Sequence, residues 1–214
     1  MKKRLIELLN DDSLVFGSGV LPETAANQLM RYLTEWKRWN AKINLTANTD
    51  ERSVVNKHIR ESLQYTRAIS SLGNLADIGS GAGFPGIPVK VLLPDLDIVL
   101  IESQRKRVSF LKTVIRSMGL EKIKCVHGVV EDFPDFLGSY DFVVLRHVLQ
   151  PSLSLPLGAG LLNTRGRLIL QTGLNVSFHT DFTNSVCLSL VDEIFVERFS
   201  SEPSKLMVFE RNSD

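Results

Sequence analysis

One stretch constrains this chain more than any other: Leu75-Ala76-Asp77-Ile78-Gly79-Ser80-Gly81-Ala82-Gly83-Phe84-Pro85-Gly86. A short apolar run ending in an acid reads as a buried strand. Glycines at alternate positions then read as a tight turn, and Pro85 with the apolar run Ile87 to Leu93 as a new helix. Gly79, Gly81 and Gly83 can take positive φ and let a ligand lie against bare backbone. Pro85 suits the first helical turn, where its missing N–H costs nothing. The helix N-terminus would then offer unpaired N–H groups and a partial positive charge. Strand, turn and helix together predict a nucleotide-type ligand at the carboxyl end of a parallel strand. A glycine-rich turn that holds no ligand is the plainer alternative.

Two ligands compete for the turn. Gly81-x-Gly83-x-x-Gly86 satisfies the dinucleotide fingerprint as a string, which points to NAD. Asp77 argues against it, because a carboxylate just before the glycines repels a pyrophosphate at close range. It suits a ligand that carries an ammonium group, as S-adenosylmethionine (SAM) does. Glu102, which ends the next apolar run, can accept both hydroxyls of a ribose. It follows Gly86 by roughly 16 residues, short of the dinucleotide spacing of about 20. The expected cofactor is therefore SAM, held by Asp77, Gly79, Gly81, Gly83 and Glu102.

Around this turn the chain divides. Residues 1–72 read as a helical N-terminal extension, with helices over 3–10, over Pro22 to about Asn40, and from about Glu51 or Val54 to Ser70. Residues 73–214 alternate strands and helices: strands 74–78, 97–102, 122–127, 140–145, 167–171, 187–198 and 204–211, and helices 85–93, 104–118, 151–162 and near 177–185. The last two strands are too close for a crossover helix, so they must pair antiparallel. The expected fold is α/β: a Rossmann-like, mainly parallel sheet with an antiparallel C-terminal hairpin, the class I SAM-dependent methyltransferase architecture.

Composition excludes little but is consistent. With 43% hydrophobic and 23% charged residues the chain is that of a soluble globular protein. No run of about 18 apolar residues exists, so no membrane partner is expected. The basic start Met1 to Arg4 is followed by too short an apolar run for a signal peptide. Cys125 and Cys187 make no disulfide framework, and a cytoplasmic monomer is the expectation. No cluster of His, Cys or acids has ligand spacing, so no metal is expected. The extension holds 11 Lys/Arg against 8 Asp/Glu, a modest basic bias that suggests phosphate contact, although on charge alone a solvated helix surface is the simpler reading. In it Lys37, Arg38 and Lys42 stand with Trp36 and Trp39, a combination able to grip RNA. Core packing is the simpler role for at least one of the tryptophans. His58, Glu61 and Ser62 share one helix face, and His58 and Arg60 are candidate substrate contacts, with Arg105 and Arg107 facing them from the second domain.

At this level of detail the sequence resembles a known family. Asp77-Ile-Gly-Ser-Gly-Ala-Gly-Phe-Pro-Gly-Ile-Pro88, Lys106-Arg-Val-Ser-Phe-Leu-Lys112 and His127-Gly-Val-Val-Glu131 are similar to signatures of the RsmG (GidB) family. Trp39-Asn40-Ala-Lys-Ile-Asn-Leu-Thr46 and His58-Ile-Arg-Glu-Ser-Leu63 look like its N-terminal ones. The resemblance implies SAM-dependent methylation of N7 of one guanine in 16S rRNA, with the small ribosomal subunit as partner. Carried over by position, its SAM contacts fall on Gly79, Phe84, Val130, Glu131 and Arg146. The chain departs from the family pattern at Leu145-Arg146-His147, at Gln171-Thr172-Gly173, and at Lys205, where the family tends to carry Arg.

The chemistry implied needs no strong base. Guanine N7 has an in-plane lone pair and no proton to lose, so positioning should supply most of the rate. Arg146 can pair with the methionine carboxylate or a phosphate; a structural ion pair is the alternative. His147 can contact the base or cap the following helix. A small-molecule methyltransferase, or a non-catalytic rRNA-binding module that keeps SAM structurally, remain alternatives from the sequence alone.

Overall fold

The structure, a computed structural model, describes residues 1–146, 150–196 and 203–213. In chain order it contains α1 (Lys2–Leu9), α2 (Pro22–Ile43), α3 (Glu51–Ser53), a π-helical segment (Val54–Ile59), α4 (Arg60–Gln64), β1 (Asn74–Ile78), α5 (Gly86–Leu92), β2 (Asp97–Glu102), α6 (Arg105–Met118) and β3 (Ile123–His127). There follow β4 (Tyr140–Leu145), α7 (Pro151–Leu161), β5 (Leu162–Gly173), α8 (Thr180–Ser185), β6 (Leu188–Val196) and β7 (Ser204–Arg211). The seven strands form one sheet in the order β3-β2-β1-β4-β5-β7-β6. The first five are parallel, and β7 runs antiparallel to both β5 and β6. The mainly parallel sheet with an antiparallel C-terminal hairpin is thus present. The order reverses at β1, between β2 and β4, and such a switch point opens a crevice at the carboxyl ends of the strands.

Local rules explain most boundaries. Pro22 opens α2, and the Thr24 hydroxyl accepts the Leu21 N–H at 3.1 Å, beside it. The helix runs past the expected Asn40 to Ile43 and stops at Asn44 in the left-handed region (φ 48°). Gly119, also left-handed, ends α6. Two further expectations change. The single helix expected from Glu51 to Ser70 carries a π-helical segment at its centre and tightens to a 3₁₀ turn at Tyr65–Arg67. Strand β5 begins at Leu162 rather than 167, because Leu162 already pairs with Tyr140 ahead of a register shift, with Arg165 in the left-handed region.

Two cores flank the sheet, and strand alternation decides which residue meets which. Leu75, Ile98, Leu100, Val144, Ile169, Leu206 and Val208 share one core with residues of α2, α4, α5 and α6, and with α1, which packs on α2. Ala76, Ile78, Val99, Val143, Leu168 and Met207 face the other way, with Leu155, Ala159 and Leu161 of α7. The helices of residues 1–72 therefore share one core with the sheet. Trp36 is 1% exposed within it, and Trp39 packs edge-on against Phe110 of α6 at 5.9 Å. Packing thus accounts for both tryptophans. Period-2 alternation continued to the strand ends also aims Asp77, Glu102, Arg146 and Gln171 at the face covered by the helical extension.

Because the core is shared, Trp36→Ala should destabilise the whole chain by about 3–5 kcal/mol. Urea unfolding followed by tryptophan fluorescence and by far-UV circular dichroism should give one coincident transition at a lower midpoint. Two transitions, with the sheet's midpoint unchanged, would show that the extension folds as a separate unit.

Candidate active site

The glycine turn sits at the carboxyl end of β1, and its geometry follows from two buried carboxylates. Asp77 is 0% exposed, and its Oδ2 accepts the Gly86 N–H at 2.9 Å. A side chain at Gly86 would bring Cβ within 2.6 Å of that same oxygen and 2.5 Å of Leu100, so only glycine allows the approach. Glu102 accepts the Gly81 N–H through Oε2 and the Gln104 N–H through Oε1, each at 2.8 Å. Gly79, Gly81 and Gly83 all take positive φ (68°, 58° and 87°). Pro85 lies at the cap position, after a cis bond from Phe84, and the helix starts at Gly86. The expected row of unpaired amides does not form: Gly79 and Ser80 donate to Ile101, Gly83 and Phe84 donate to Ser80, and Gly86 donates to Asp77. The turn is held from within, leaving side chains and curvature to recognise a ligand.

Asp77 has one oxygen to spare. Its Oδ1 is buried and has no hydrogen-bond partner among the described residues. Burial pushes its pKa up to about 7, against the smaller pulls of the Gly86 amide, the Ser80 hydroxyl and Arg146. A buried acceptor in that condition fits a ligand bringing a cationic N–H donor.

Above the turn lies a cavity of ≈ 240 Å³, walled by Gly79, Gly81 and Phe84, by Asn48 and His58 from the extension, and by Arg107 and Arg146. Larger hollows, ≈ 520 and ≈ 780 Å³, open at the opposite, amino ends of β1, β2 and β4, away from the glycine turn. Position at the switch point, not size, marks the site.

One network ties the extension to the sheet here. Arg146 donates from Nη2 to Glu61 Oε2 at 2.6 Å and to His58 Nδ1 at 2.9 Å, and from Nε to Gln171 Oε1 at 3.0 Å. Gln171 Nε2 donates to Glu61 Oε2 and to Ser204 Oγ, both at 3.1 Å. With Nδ1 accepting, the His58 proton sits on Nε2, which donates to Asn48 Oδ1 at 2.8 Å. The imidazole stacks on Phe84 at 5.1 Å, and the Arg146 guanidinium lies 5.7 Å from the same ring. Two buried tyrosines brace the frame: Tyr32 donates to Ala82 O at 2.6 Å and Tyr65 to Leu145 O at 3.3 Å. Burial raises both phenols well above their usual range, so they stay donors.

Of the residues singled out from sequence, Gly79, Gly81, Phe84, His58, Arg107 and Arg146 meet at this cavity. Asp77, Gly83 and Glu102 build the turn beneath it. Val130 and Glu131 follow Gly128, whose N–H donates to Glu102 O at 3.1 Å, so they border the β2 end; Val130 is buried and Glu131 exposed. Arg60 lines a separate hollow between α1 and α4, with Arg4 and Asp11. Lys37 and Arg38 are exposed and paired with Glu51 and Glu35, and Lys42 and Arg105 are exposed. His147 lies outside the described residues. Sequence reasoning assigns Glu61, Asn48, Tyr32 and Gln171 no role in the site; Gln171, a departure from the family pattern, supplies the neutral link in the network. Lys205, another departure, is buried in an ion pair with Glu193 at 2.6 Å. Among the described residues no group of three or more His, Cys, Asp or Glu could hold a metal ion, and no helix is long and apolar enough to cross a membrane.

Strand order, antiparallel hairpin and glycine turn together define the class I SAM-dependent methyltransferase fold. Solved structures agree. TYW2 from P. horikoshii, solved with MeSAdo, matches at a TM-score of 0.59 and 12% identity, covering 72% of this chain and 62% of that one. TYW2 from M. jannaschii, solved with AdoMet, matches at 0.58 and 14%, covering 72% and 74%. The chain belongs to the GidB family, described as rRNA small subunit methyltransferase G, whose sequence profile matches residues 25–203. A relative of that name from Clostridium botulinum is 41% identical over 127 residues, 57% of this chain and 53% of its own length. Another, from Clostridium tetani, is 33% identical over 180 residues, 82% of this chain and 75% of its own. The chain spans about half the length of the first of these and three quarters of the second.

The buried Glu61–Arg146 pair generates a stability prediction. Glu61→Ala leaves a buried guanidinium without its counter-charge and should cost about 3–5 kcal/mol, read from the urea midpoint. A loss below about 1 kcal/mol, the range of exposed pairs, would show that water reaches Arg146 freely.

Proposed function

We propose that this protein transfers a methyl group from SAM to N7 of a guanine in the 16S rRNA of the small ribosomal subunit. The observation that carries the proposal is the family match over residues 25–203, seated on a glycine turn whose buried Asp77 keeps an unpaired oxygen. SAM supplies an electrophilic methyl group on a sulfonium.

The chain's residues hold and orient. Asp77 Oδ1 would accept from the cofactor's ammonium, Glu102 would accept from its ribose hydroxyls, and the Arg146 guanidinium would pair with its carboxylate. Both His58 nitrogens are committed, to Asn48 and Arg146, so the imidazole orients rather than removes a proton. That suits N7, which has no proton to lose, and leaves alignment as the main source of rate. Phe84 and, from the extension, Asn48 and His58 form part of the cavity wall against which the cofactor would be oriented.

The deciding experiment incubates the protein with methyl-labelled SAM and either small subunits or naked rRNA from cells lacking the modification, beside a panel of metabolites. Label should appear at one guanine, mapped by cleavage at 7-methylguanine. Transfer to metabolites alone would make it a small-molecule methyltransferase; rRNA binding without transfer would make it an assembly module.

Two cofactor predictions follow from the carboxylates. Glu102→Ala should weaken SAM binding by roughly 1–3 kcal/mol, through missing hydroxyl bonds and a released Gly81 amide; an unchanged dissociation constant in calorimetry removes Glu102 from the site. For Asp77 the sign follows from its raised pKa of about 7. Below that pH the apo carboxyl holds a proton, which an incoming ammonium must expel. SAM affinity should therefore rise with pH between about 5.5 and 7.5, with close to one proton released per SAM at the acid end. Asp77→Asn should flatten the profile; a flat profile for the wild type would mean that Asp77 serves only the Gly86 amide.

A further inference from the structure

Helix α6 breaks a local rule along its whole length. Its sequence, Arg-Lys-Arg-Val-Ser-Phe-Leu-Lys-Thr-Val-Ile-Arg-Ser-Met, holds five cations and no acid. Three of the cations, Arg105, Lys106 and Arg107, fill the first turn, where the helix dipole is already positive and anions are the stabilising choice. Gln104 provides no side-chain cap, and the carboxylate at that end, Glu102, makes no ion pair with the helix's cations among the described residues while accepting the Gly81 and Gln104 amides. Folding alone gives no reason for this arrangement, and local conflicts of this kind gather where function demands them.

The cations are also available. Arg105, Lys106, Lys112 and Arg116 are exposed, and none has an ion-pair partner among the described residues. On α2 the situation differs: Lys37 pairs with Glu51 at 3.2 Å and Arg38 with Glu35 at 3.0 Å, so acids partly offset two of its cations and leave Lys42 without an ion pair among the described residues. Arg105, Lys112 and Arg116 recur at helical spacing on one stripe, with the small polar Ser109 between them. The stripe spans about 16 Å along the axis at 1.5 Å per residue. It begins beside the cavity, where Arg107 forms part of the wall.

The surface has the composition of a phosphate track rather than of a protein interface. A protein interface has an apolar, often aromatic, centre, and α6 exposes no large hydrophobic residue. Nothing on the stripe offers a ring for base stacking, so it would follow backbone and set register rather than read sequence.

We propose that the solvent face of α6, from Arg105 to Arg116, is the main electrostatic docking surface for structured RNA, guiding its sugar-phosphate backbone to the cavity. This rests on the proposed rRNA substrate and locates its principal binding surface on α6 rather than α2.

The test compares the wild type with Arg105→Gln/Lys106→Gln/Lys112→Gln/Arg116→Gln and with Lys37→Gln/Arg38→Gln/Lys42→Gln. Binding of small-subunit rRNA is titrated with salt, beside SAM calorimetry. Both variants should bind SAM within about twofold of wild type. The slope of log affinity against log salt should fall by about 0.7–0.9 for each phosphate no longer neutralised, roughly 3 in all for the α6 variant, and by less than about 1 for the α2 variant. The guanine methylated should not change, because the track carries no sequence information. If the quadruple variant fails to bind SAM, Lys112→Gln/Arg116→Gln decides instead, with an expected fall of about 1.5. A wild-type slope in the α6 variant overturns the docking surface but leaves the rRNA substrate standing. A wild type that binds SAM but no rRNA overturns both.

Discussion

The ion pair between Glu61 and Arg146 is the interaction on which the site depends. It joins residues 85 positions apart, one from the helical extension and one from the end of β4, at 2.6 Å. Taking two charges out of water is expensive, and such a pair is a weak source of net stability. Its effect is geometric. Nη2 of the guanidinium bonds both Glu61 and His58, Nε bonds Gln171, and His58 lies nearly flat on Phe84. The walls of the cavity are therefore set by one buried charge and the groups that satisfy it.

The extension's role follows from the same bonds. Tyr32 holds the carbonyl of Ala82 in the middle of the glycine turn, and Tyr65 holds that of Leu145 at the end of β4. Asn48 fixes the far side of the imidazole. The π-helical segment places His58 at its C-terminal end, and Ser62 donates its hydroxyl to the His58 carbonyl at 2.6 Å. Segments of this kind often occur at functional sites because they displace side chains from regular helical register. A sheet that alone could present only strand ends acquires, through these bonds, a lid with its own polar groups.

Much of this was legible in the sequence. The glycine turn, the acids at the ends of β1 and β2 and the closely spaced final strands were enough to place the sheet and its switch point. Alternation along the strands carries further than strand placement: Leu75 and Asp77, Leu100 and Glu102, Val144 and Arg146, Ile169 and Gln171 are same-face pairs, which puts all four polar residues under the extension. The partners were not legible. Gln171 meets Glu61 across 110 residues, and no periodicity links a helix face to a particular strand end. The unpaired helix amides inferred from Pro85 fail for a local reason, since Asp77 and the carbonyls of Ser80 and Ile101 take most of the turn's N–H groups. Pairing of Lys37 and Arg38 with acids is likewise a matter of geometry, which charge counting cannot reach.

The central claim is that sheet and extension build one cofactor site around Arg146. A crystal structure of the complex with S-adenosylhomocysteine measures this most directly. The ligand should lie over Gly79 to Gly83, with its ammonium on Asp77, its ribose on Glu102 and its carboxylate facing Arg146, while Arg146 keeps its bond to Glu61. A ligand seated away from the glycine turn, or an Arg146 turned out of the network with the extension displaced from the strand ends, would contradict it.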